Sequence, residues 1–278
     1  MSVASTTSPN SSARVVLITG ISSGIGKACA EHLAARGWRV FGTLRTAGPA
    51  AAGVETIVMD VDSDASVARG VDEVLSSAGR LDAVVNNAGF ALMGAVEDTS
   101  TAEAQAQFET NFFGVLRVCR AALPIMRRQG AGAIVNISSL AAVQGLPFSG
   151  LYSASKFALE GLSESLRLET RHLGIRIMLV EPGDFRTAIT QKRRFAAASA
   201  THDAYAATFD RAKRKQDTDE TNAPPPQSIA LLVERILNHP RPKLRYSVGM
   251  LSQRIVVPLK SYLPQCFYEW LLCRVLGI

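Results

Sequence analysis

A tyrosine and a lysine four residues apart could form a proton-transfer site. Tyr152 and Lys156 stand at positions i and i+4, and Ser139 lies thirteen residues before the tyrosine. Residues with this spacing share one face of a helix. A lysine ammonium beside the phenol would lower the tyrosine pKa from its reference value near ~10. The spacing therefore predicts that Tyr152 is a general acid or base and that Ser139 holds a substrate oxygen.

A phosphate-binding turn is predicted near the start of the chain. Residues 14–19 form an apolar run typical of a buried strand, and residues 27–36 have helical periodicity that ends before Gly37. Between them lies the pattern T-G-x-x-x-G-x-G. Glycines let the backbone approach a pyrophosphate, and a helix N-terminus offers N–H groups and the positive end of its dipole. We expect a dinucleotide here; the alternative is a glycine-rich turn that binds no ligand.

The end of the second predicted strand, residues 38–43, bears on the choice of cofactor. NAD-binding folds usually carry an acidic residue there for the ribose 2′-hydroxyl, whereas NADP requires a cation. This chain has Thr43, Leu44 and Arg45, with no carboxylate. Arg45 could pair with a 2′-phosphate through its planar guanidinium, with help from Ser23. The pattern favours NADP(H) over NAD(H), although Arg45 could also be an ordinary solvated loop residue.

Several motifs resemble those of the short-chain dehydrogenase/reductase family. The cofactor turn, an N-N-A-G segment at 86–89 and a P-G-x-x-x-T segment at 182–187 occur in the family's order. The resemblance implies a catalytic set that consists of Asn111, Ser139, Tyr152 and Lys156, with Asn111 anchoring a water that leads to Lys156. The predicted cofactor contacts are Gly20, Ser22, Ser23, Gly24, Ile25, Gly26, Arg45, Asp60, Val61, Asn87, Ala88, Gly89, Tyr152, Lys156, Pro182, Gly183, Phe185 and Thr187.

A narrower resemblance concerns the segments at 152–167 and 181–187. Both are similar to the 17β-hydroxysteroid and retinol dehydrogenase branch of the family. The likeness implies a bulky apolar alcohol or ketone as substrate, without identifying a steroid. Leu146 and Phe148, together with Ser139 and Tyr152, are predicted to contact that substrate, although both apolar side chains could equally be ordinary core.

The alternation of predicted elements indicates an α/β fold, a single-domain Rossmann-type doubly wound parallel sheet with helices on both faces. Further strands are predicted at 55–59, 81–86, 133–138, 175–181 and 244–248, and further helices at 63–77, 101–128, 150–173 and 227–238. Ligands of such sheets bind beyond the carboxyl ends of the strands. Gly20, Asn86, Ser139 and Pro182 stand at such ends, so they are expected to meet in one crevice.

Some segments depart from this rhythm. Residues 1–13 are rich in serine and threonine and are predicted to be a disordered tail rather than a signal peptide. Residues 14–278 are predicted to form the oxidoreductase domain. Within it, residues 187–226 are predicted to be a mobile helical lid over the substrate, the alternative being a plain surface excursion. The apolar residues 250–278 could line the substrate entrance, form a subunit contact or lie on a membrane.

Composition restricts the other function classes. The net charge is +6, but the charges are dispersed and no nucleic-acid-binding module is visible. No apolar run approaches the ~20 residues that span a membrane. The four cysteines and four histidines show no metal-ligand spacing, and reduced thiols are typical of a cytoplasmic protein. We predict no nucleic acid and no metal, a small-molecule substrate that is an apolar carbonyl compound or alcohol and, from the family resemblance, a homo-oligomer.

The motifs together predict an NADP(H)-dependent oxidoreductase that interconverts a ketone or aldehyde and an alcohol. Two alternatives stay open. One is an NAD(H)-dependent alcohol dehydrogenase of the same fold. The other is a protein that senses NADP(H) without turnover; it is less favoured because all four catalytic positions are occupied by the expected residue types.

Overall fold

A computed structural model describes residues 13–49, 51–187, 193–200, 203–251, 253–255, 260, 262–276 and 278. In this part of the chain, parallel strands form one seven-stranded sheet in the order β3-β2-β1-β4-β6-β7-β9. These strands are β1 (Val15–Ile18), β2 (Arg39–Leu44), β3 (Val54–Val58), β4 (Ala83–Asn86), β6 (Gly132–Ile137), β7 (Ile175–Pro182) and β9 (Arg245–Val248). A separate two-stranded sheet pairs β5 (Leu92–Met93) with β8 (Arg194–Phe195).

Helices connect most of these strands. Their bounds are α1 Gly24–Ala35, α2 Asp64–Ala78, α3 Thr101–Phe108, α4 Gly114–Gln129, α5 Gly150–Thr170, α6 Asp203–Asn222, α7 Gln227–Asn238 and α8 Gln265–Leu276. Short 3-10 turns lie at Leu140–Ala142, Arg171–Leu173 and Ala197–Ala200. The predicted strands and helices of the main sheet are present, with ends that differ by a few residues.

Side chains of β1 alternate between two separate cores. Val16 and Ile18 pack in the core that includes side chains of α1 and α7, whereas Val15 and Leu17 pack in the core that includes side chains of α2, α4 and α5. Successive residues of a strand face opposite sides of a sheet. Helices therefore cover both faces, and the predicted doubly wound α/β fold is confirmed.

The carboxyl ends of the central strands lie at one edge of the sheet. Thr19 N–H donates to Val85 O at 3.0 Å, and Ser138 N–H donates to Val180 O at 2.7 Å. Asn86 of β4 is in register with Asn136 of β6. Since the pairing is parallel, the segments that follow these strands meet at the same edge, as the sequence predicts.

The helix predicted over residues 101–128 is not continuous. A π-helical turn, Glu109–Phe113, separates α3 from α4. Such turns insert an extra residue into a helix and occur frequently at functional sites. Asn111 lies in this turn, so its placement depends on a local irregularity that helical periodicity does not reveal.

The segment predicted as a lid is anchored to the rest of the molecule. Its strand β8 pairs with β5, with Leu92 opposite Arg194 and Met93 opposite Phe195. The expected helix is present as α6. Residues 188–192 and 201–202 of the predicted lid lie outside the described residues. Opening of the segment stays a prediction.

The two ends of the chain are described in part. Residues 1–12 of the predicted tail, and residues 252, 256–259, 261 and 277 of the apolar C-terminal segment, lie outside the described residues. Within that segment α8 is helical, and Tyr262, Phe267 and Trp270 are exposed. Of the helices that the structure describes, none has the length and apolar character required to cross a bilayer.

Candidate active site

The three glycine positions of the turn between β1 and α1 have little room for a side chain. Gly20 and Gly24 have φ angles of 72° and 61°, in the left-handed region that favours glycine. A Cβ on Gly26 would lie 2.3 Å from Asn87 Nδ2 and 2.5 Å from the carbonyl oxygen of Gly20. The turn leads directly into the N-terminus of α1. A bare backbone at a helix N-terminus is the geometry that admits a pyrophosphate, so these residues fit a dinucleotide.

The segment after β4 supports this turn. Asn87 Nδ2 donates to the carbonyl oxygens of Thr19 and Gly20, both at 2.9 Å. The backbone N–H groups of Asn87 and Ala88 donate to Thr19 Oγ1 at 2.9 and 3.0 Å. The first role of the Asn87 amide is therefore to brace the turn. Gly89 lies beside Asn111, because a Cβ on it would be 3.0 Å from Asn111 Oδ1.

The end of β2 lies against the same turn. Thr43 Oγ1 accepts a hydrogen bond from Gly20 N–H at 3.2 Å, and the Thr43 carbonyl accepts one from Ile21 N–H at 3.0 Å. Arg45 follows β2 and is exposed. Among the described residues, no hydrogen bond or ion pair engages its guanidinium. Arg45 is thus near the turn and unpaired, as a 2′-phosphate ligand would need to be.

The predicted cofactor residues after β1 and β3 differ in how far they are buried. Ser22 is exposed, Ser23 and Ile25 are half-buried at the start of α1, and Val61 is buried after β3. Asp60 is half-buried, and its Oδ1 accepts a hydrogen bond from Asp62 N–H at 3.1 Å.

The predicted cofactor residues in the segment after β7 differ in how their side chains are placed. A Cβ on Gly183 would lie 2.1 Å from Gln253 Oε1, so this position is closed to a side chain, and Pro182 is the last residue of β7. Thr187 faces the glycine turn, with its Cβ 3.2 Å from where a Cβ on Gly24 would be. The Phe185 side chain is buried in the core on the α1 side of the sheet. Only its backbone remains a candidate cofactor contact.

Ser139, Tyr152 and Lys156 come together at the strand ends. Lys156 is buried in α5, and its Nζ donates to Ile137 O, at the end of β6, at 2.8 Å. The same nitrogen lies 5.9 Å from the centroid of the Tyr152 ring. Ser139, two residues after Ile137, is hydrogen-bonded to the Tyr152 phenol through its side chain. The arrangement joins a proton donor, a hydrogen-bonding hydroxyl and an amine.

The acidity of the phenol differs from the sequence expectation. Burial raises the pKa of Tyr152 above its ordinary value, and the hydrogen bond with Ser139 opposes that change. Burial also lowers the pKa of Lys156, to about 8. The prediction that Lys156 lowers the Tyr152 pKa is therefore wrong for this structure, because burial and the charges of Asp184 and Glu220 raise that pKa. A phenol with a raised pKa retains its proton near neutral pH.

Asn111 is fully buried and joins two parts of the site. Its Oδ1 accepts from Phe90 N–H at 3.1 Å, and its Nδ2 donates to Phe90 O at 3.1 Å. Nδ2 also donates to Ser155 Oγ, on α5, at 3.3 Å. Ser155 lies between Tyr152 and Lys156 in sequence, so Asn111 links the segment after β4 to the helix that carries them. The water-anchoring role implied by the family resemblance stays a prediction.

Asn111→Ala is expected to lower the free energy of unfolding by about 2–4 kcal/mol, because buried partners lose hydrogen bonds. Urea unfolding followed by circular dichroism measures the change. Asn222→Ala, exposed at the end of α6, is the control and should stay within about 0.5 kcal/mol of the parent. Equal stabilities of the two variants would contradict the positioning role.

A cavity of about 90 Å³ has both apolar and charged lining residues, and one of them, Asp184, acts through its charge on the Tyr152 phenol. Leu146, one of the two predicted substrate residues, lines the cavity together with Met93, Pro147 and Leu276. Phe148, the other, packs against α6 instead, with its ring centroid 5.5 Å from that of Phe209. Phe148 therefore connects α6 to the segment that precedes α5.

The sequence alone did not single out two acidic residues of the site. Asp184 follows Gly183 and lines the cavity, and burial raises its pKa to about 6. Glu160 stands four residues after Lys156 on α5, and its charge acts to raise the Lys156 pKa. The i+4 spacing from Lys156 was an available signal for Glu160. For Asp184 the only signal was its position inside the P-G-x-x-x-T segment.

Comparison with known proteins identifies the family. A family model described as short chain dehydrogenase matches residues 14–197. The chain belongs to the short-chain dehydrogenase family. It is therefore an oxidoreductase with a fold that binds nicotinamide cofactors, as the sequence motifs predict.

Named relatives of this enzyme cover most of its length. The 3-ketodihydrosphingosine reductase of Bacteroides thetaiotaomicron is 39% identical over 259 residues, which span 93% of this chain and 96% of that protein. The 17-beta-hydroxysteroid dehydrogenase type 1 of Homo sapiens is 36% identical over 253 residues, which span 84% and 76% of the two chains. Both are reductases or dehydrogenases by name.

Solved structures agree with the fold. A short-chain dehydrogenase from Streptomyces avermitilis has a TM-score of 0.79 and 34% identity, with 90% of this chain and 94% of that chain covered. ElxO with NADP bound has a TM-score of 0.70 and 26% identity, with 85% and 97% covered. A Burkholderia phymatum family member in complex with NAD has a TM-score of 0.76 and 26% identity, with 90% and 93% covered. Similar folds thus hold either cofactor.

Proposed function

We propose that this enzyme is an NADP(H)-dependent reductase that converts a ketone or aldehyde on a bulky apolar molecule to the alcohol, and that also runs in reverse. The observation that carries the proposal is the meeting of Ser139, Tyr152 and Lys156 at the strand ends, beside the glycine turn. A proton donor placed next to a dinucleotide cradle is what carbonyl reduction requires.

Each residue has a distinct task in the reduction. The bound nicotinamide supplies the hydride. Tyr152 then donates its phenolic proton to the alkoxide oxygen that forms, and the Ser139 hydroxyl holds that oxygen by a hydrogen bond. Lys156 carries a positive charge near the phenol and would bind the ribose beside the nicotinamide. Asn111 holds the helix that carries Tyr152 and Lys156 in position.

The raised pKa of Tyr152 favours the reductive direction. A phenol that keeps its proton at neutral pH is ready to act as a general acid. Oxidation of an alcohol would need the phenolate as a base, and burial opposes that form. We therefore expect reduction to proceed at neutral pH and oxidation to require a more alkaline solution.

The preference for NADP(H) rests on Arg45. This residue is exposed after β2, close to the turn that Thr43 braces, and no carboxylate stands at 43–45. A guanidinium suits a 2′-phosphate because its planar donors match phosphate oxygens. NAD(H), the alternative, would gain nothing from this charge.

Arg45→Ala is expected to raise the KM for NADPH about 10- to 100-fold, since a charge-assisted hydrogen bond is worth about 1.5–3 kcal/mol. The KM for NADH should stay within about twofold. Steady-state titrations with both cofactors measure the ratio. Arg128→Ala, at an exposed site near the end of α4, is the charge-matched control. A wild-type enzyme that prefers NADH would refute the cofactor assignment.

The substrate class is proposed from the cavity and the relatives together. Apolar side chains of Met93, Leu146 and Leu276 line the cavity. The named relatives are a ketodihydrosphingosine reductase and a hydroxysteroid dehydrogenase, which by their names act on lipid-like molecules. A panel of ketones graded by size and polarity, followed by loss of NADPH absorbance, tests this proposal. Faster turnover of small polar ketones than of long-chain ones would exclude it.

We also infer a homo-oligomer. Phe113, Phe157 and Leu168 are large apolar side chains left 42%, 41% and 72% exposed on the α4–α5 side of the molecule. A second subunit packed there would cover them. Light scattering coupled to gel filtration gives the mass in solution, and a monomer would contradict the inference. The predicted cytoplasmic location stays a prediction.

A further inference from the structure

Asp184 is an acidic residue inside the substrate cavity. Gln253 holds it in place: Gln253 Oε1 accepts the Asp184 N–H at 3.1 Å, and Gln253 Nε2 donates to Asp184 Oδ2. The other carboxylate oxygen, Oδ1, accepts no hydrogen bond from the residues that the structure describes. Asp184 is therefore fixed in orientation, and among the described residues its Oδ1 has no hydrogen-bond donor. The cavity that it lines has apolar and polar lining residues side by side.

The charges of the cavity do not cancel. Its charged side chains are Asp184, Asp219 and Lys215. Lys215 Nζ is held by both carboxylate oxygens of Asp219, at 2.6 and 2.5 Å. That pair is neutral as a unit. Lys215 acts to lower the Asp184 pKa, but burial and the charges of Glu220 and Asp219 outweigh it, and no ion pair among the described residues neutralises Asp184. A cavity that combines apolar lining residues with a net negative charge suits a cationic group on a ligand that is otherwise apolar.

The same carboxylate lies close to the reacting group. Its negative charge acts on the Tyr152 phenol and raises the pKa of that residue. The charge of Glu220 acts in the same direction, but Glu220 is paired with the buried Arg193. Asp184 thus lines the cavity and also acts through its charge on the phenol that donates the proton. A cation bound to Asp184 would sit close to the carbonyl that accepts it.

We propose that Asp184 binds the ammonium of a substrate whose amine is a few atoms from the reducible carbonyl, which makes a long-chain amino ketone the preferred substrate class. The inference rests on the proposed carbonyl reduction at Tyr152. The ammonium would satisfy Asp184 Oδ1, and the alkyl chain would contact the apolar walls. By offsetting the negative charge beside Tyr152, the bound cation would also make the phenol a better proton donor.

The test compares two ketones that differ only in the amine: a long-chain 2-amino-3-ketone and the same ketone without the amino group. For the parent enzyme with NADPH, kcat/KM for the amino ketone is expected to exceed that for the plain ketone at least tenfold. In Asp184→Asn the ratio is expected to fall about 10- to 100-fold, since removing one partner of a desolvated charge pair has effects of at least that order. The readout is the ratio within each variant, which is independent of enzyme concentration.

The matched control is Asp72→Asn, which removes the same charge from an exposed position on α2. Its ratio is expected to equal that of the parent. If both ketones are reduced and the ratio is the same in the parent, Asp184→Asn and Asp72→Asn, the Asp184 inference is overturned while the proposed reduction stands.

If neither ketone is reduced, a binding measurement distinguishes the proposed carbonyl reduction from the proposed role of Asp184. Calorimetric titration of the NADP⁺-loaded parent enzyme with decylamine and with 1-decanol is expected to show at least tenfold tighter binding of the amine. If the enzyme binds decylamine more tightly than 1-decanol but reduces neither ketone, the proposed function is refuted and the role of Asp184 is supported. Equal affinities for amine and alcohol would overturn the role of Asp184. This arm needs only the parent protein, so it holds even if Asp184→Asn does not fold.

Discussion

Tyr152→Phe is expected to reduce kcat for carbonyl reduction about 10²- to 10⁴-fold, the range that general acid catalysis contributes. The substitution removes the phenolic oxygen, and with it the proton that neutralises the alkoxide. The ring remains, so its packing in α5 and its position 5.9 Å from Lys156 Nζ are retained. NADPH absorbance loss under saturating ketone measures kcat, and fluorescence titration with NADPH measures cofactor affinity, which should change by less than about threefold.

A second tyrosine provides the control for this variant. Tyr262 is 84% exposed in the C-terminal segment, so Tyr262→Phe should retain the parental kcat. Turnover of Tyr152→Phe within tenfold of that control would show that another group protonates the alkoxide. Loss of cofactor binding in step with turnover would instead indicate a structural defect at the strand ends.

Gly26→Ala is expected to lower the thermal midpoint and to weaken NADPH binding at least 100-fold. The new methyl carbon would lie 2.3 Å from Asn87 Nδ2 and 2.5 Å from the carbonyl oxygen of Gly20. Backbone atoms cannot yield without opening the turn, and overpacking of this kind costs about 1–3 kcal/mol. The Asn87 hydrogen bonds to Thr19 and Gly20 would be the first to break, and they are what keeps the turn in shape for the cofactor.

Gly161→Ala is the matched control because it adds the same methyl group at a position that is exposed and uncrowded. Gly161 is exposed on α5, and a Cβ there would meet nothing within 4 Å. Replacing a helical glycine by alanine stabilises by about 0.5–1 kcal/mol, so this variant should melt slightly higher than the parent. Thermal scans with and without NADPH compare the two. Parental melting and a parental NADPH-induced shift in Gly26→Ala would show that the turn is looser than its geometry implies.

The sheet and the glycine turn could be predicted because their signals are local. The apolar run before Gly20 forms β1, and the glycines stand where a tight turn and a close approach to Asn87 require them. The spacing of Tyr152 and Lys156 places both on α5. Strand pairing then brings the ends of β1, β4, β6 and β7 to one edge, a general property of doubly wound sheets.

Other features depended on contacts between distant segments. The pairing of β5 with β8 joins residues about a hundred positions apart, and each strand has only two residues, too few for a periodic pattern. Asn111, in the π turn, is hydrogen-bonded to Phe90 and Ser155, which lie 21 and 44 positions away in the sequence. Neither could be read from local periodicity.

The amino-acid sequence alone determined the family and the succession of strands and helices along the chain. It also determined which residues can transfer a proton, because spacing and backbone conformation are local properties. Tertiary structure alone decided the electrostatics. Burial raised the pKa of Tyr152, where the sequence predicts a decrease from Lys156, and the fold brought the charge of Asp184 to the same phenol. Desolvation and charge proximity depend on everything packed around a group, and no local pattern encodes them.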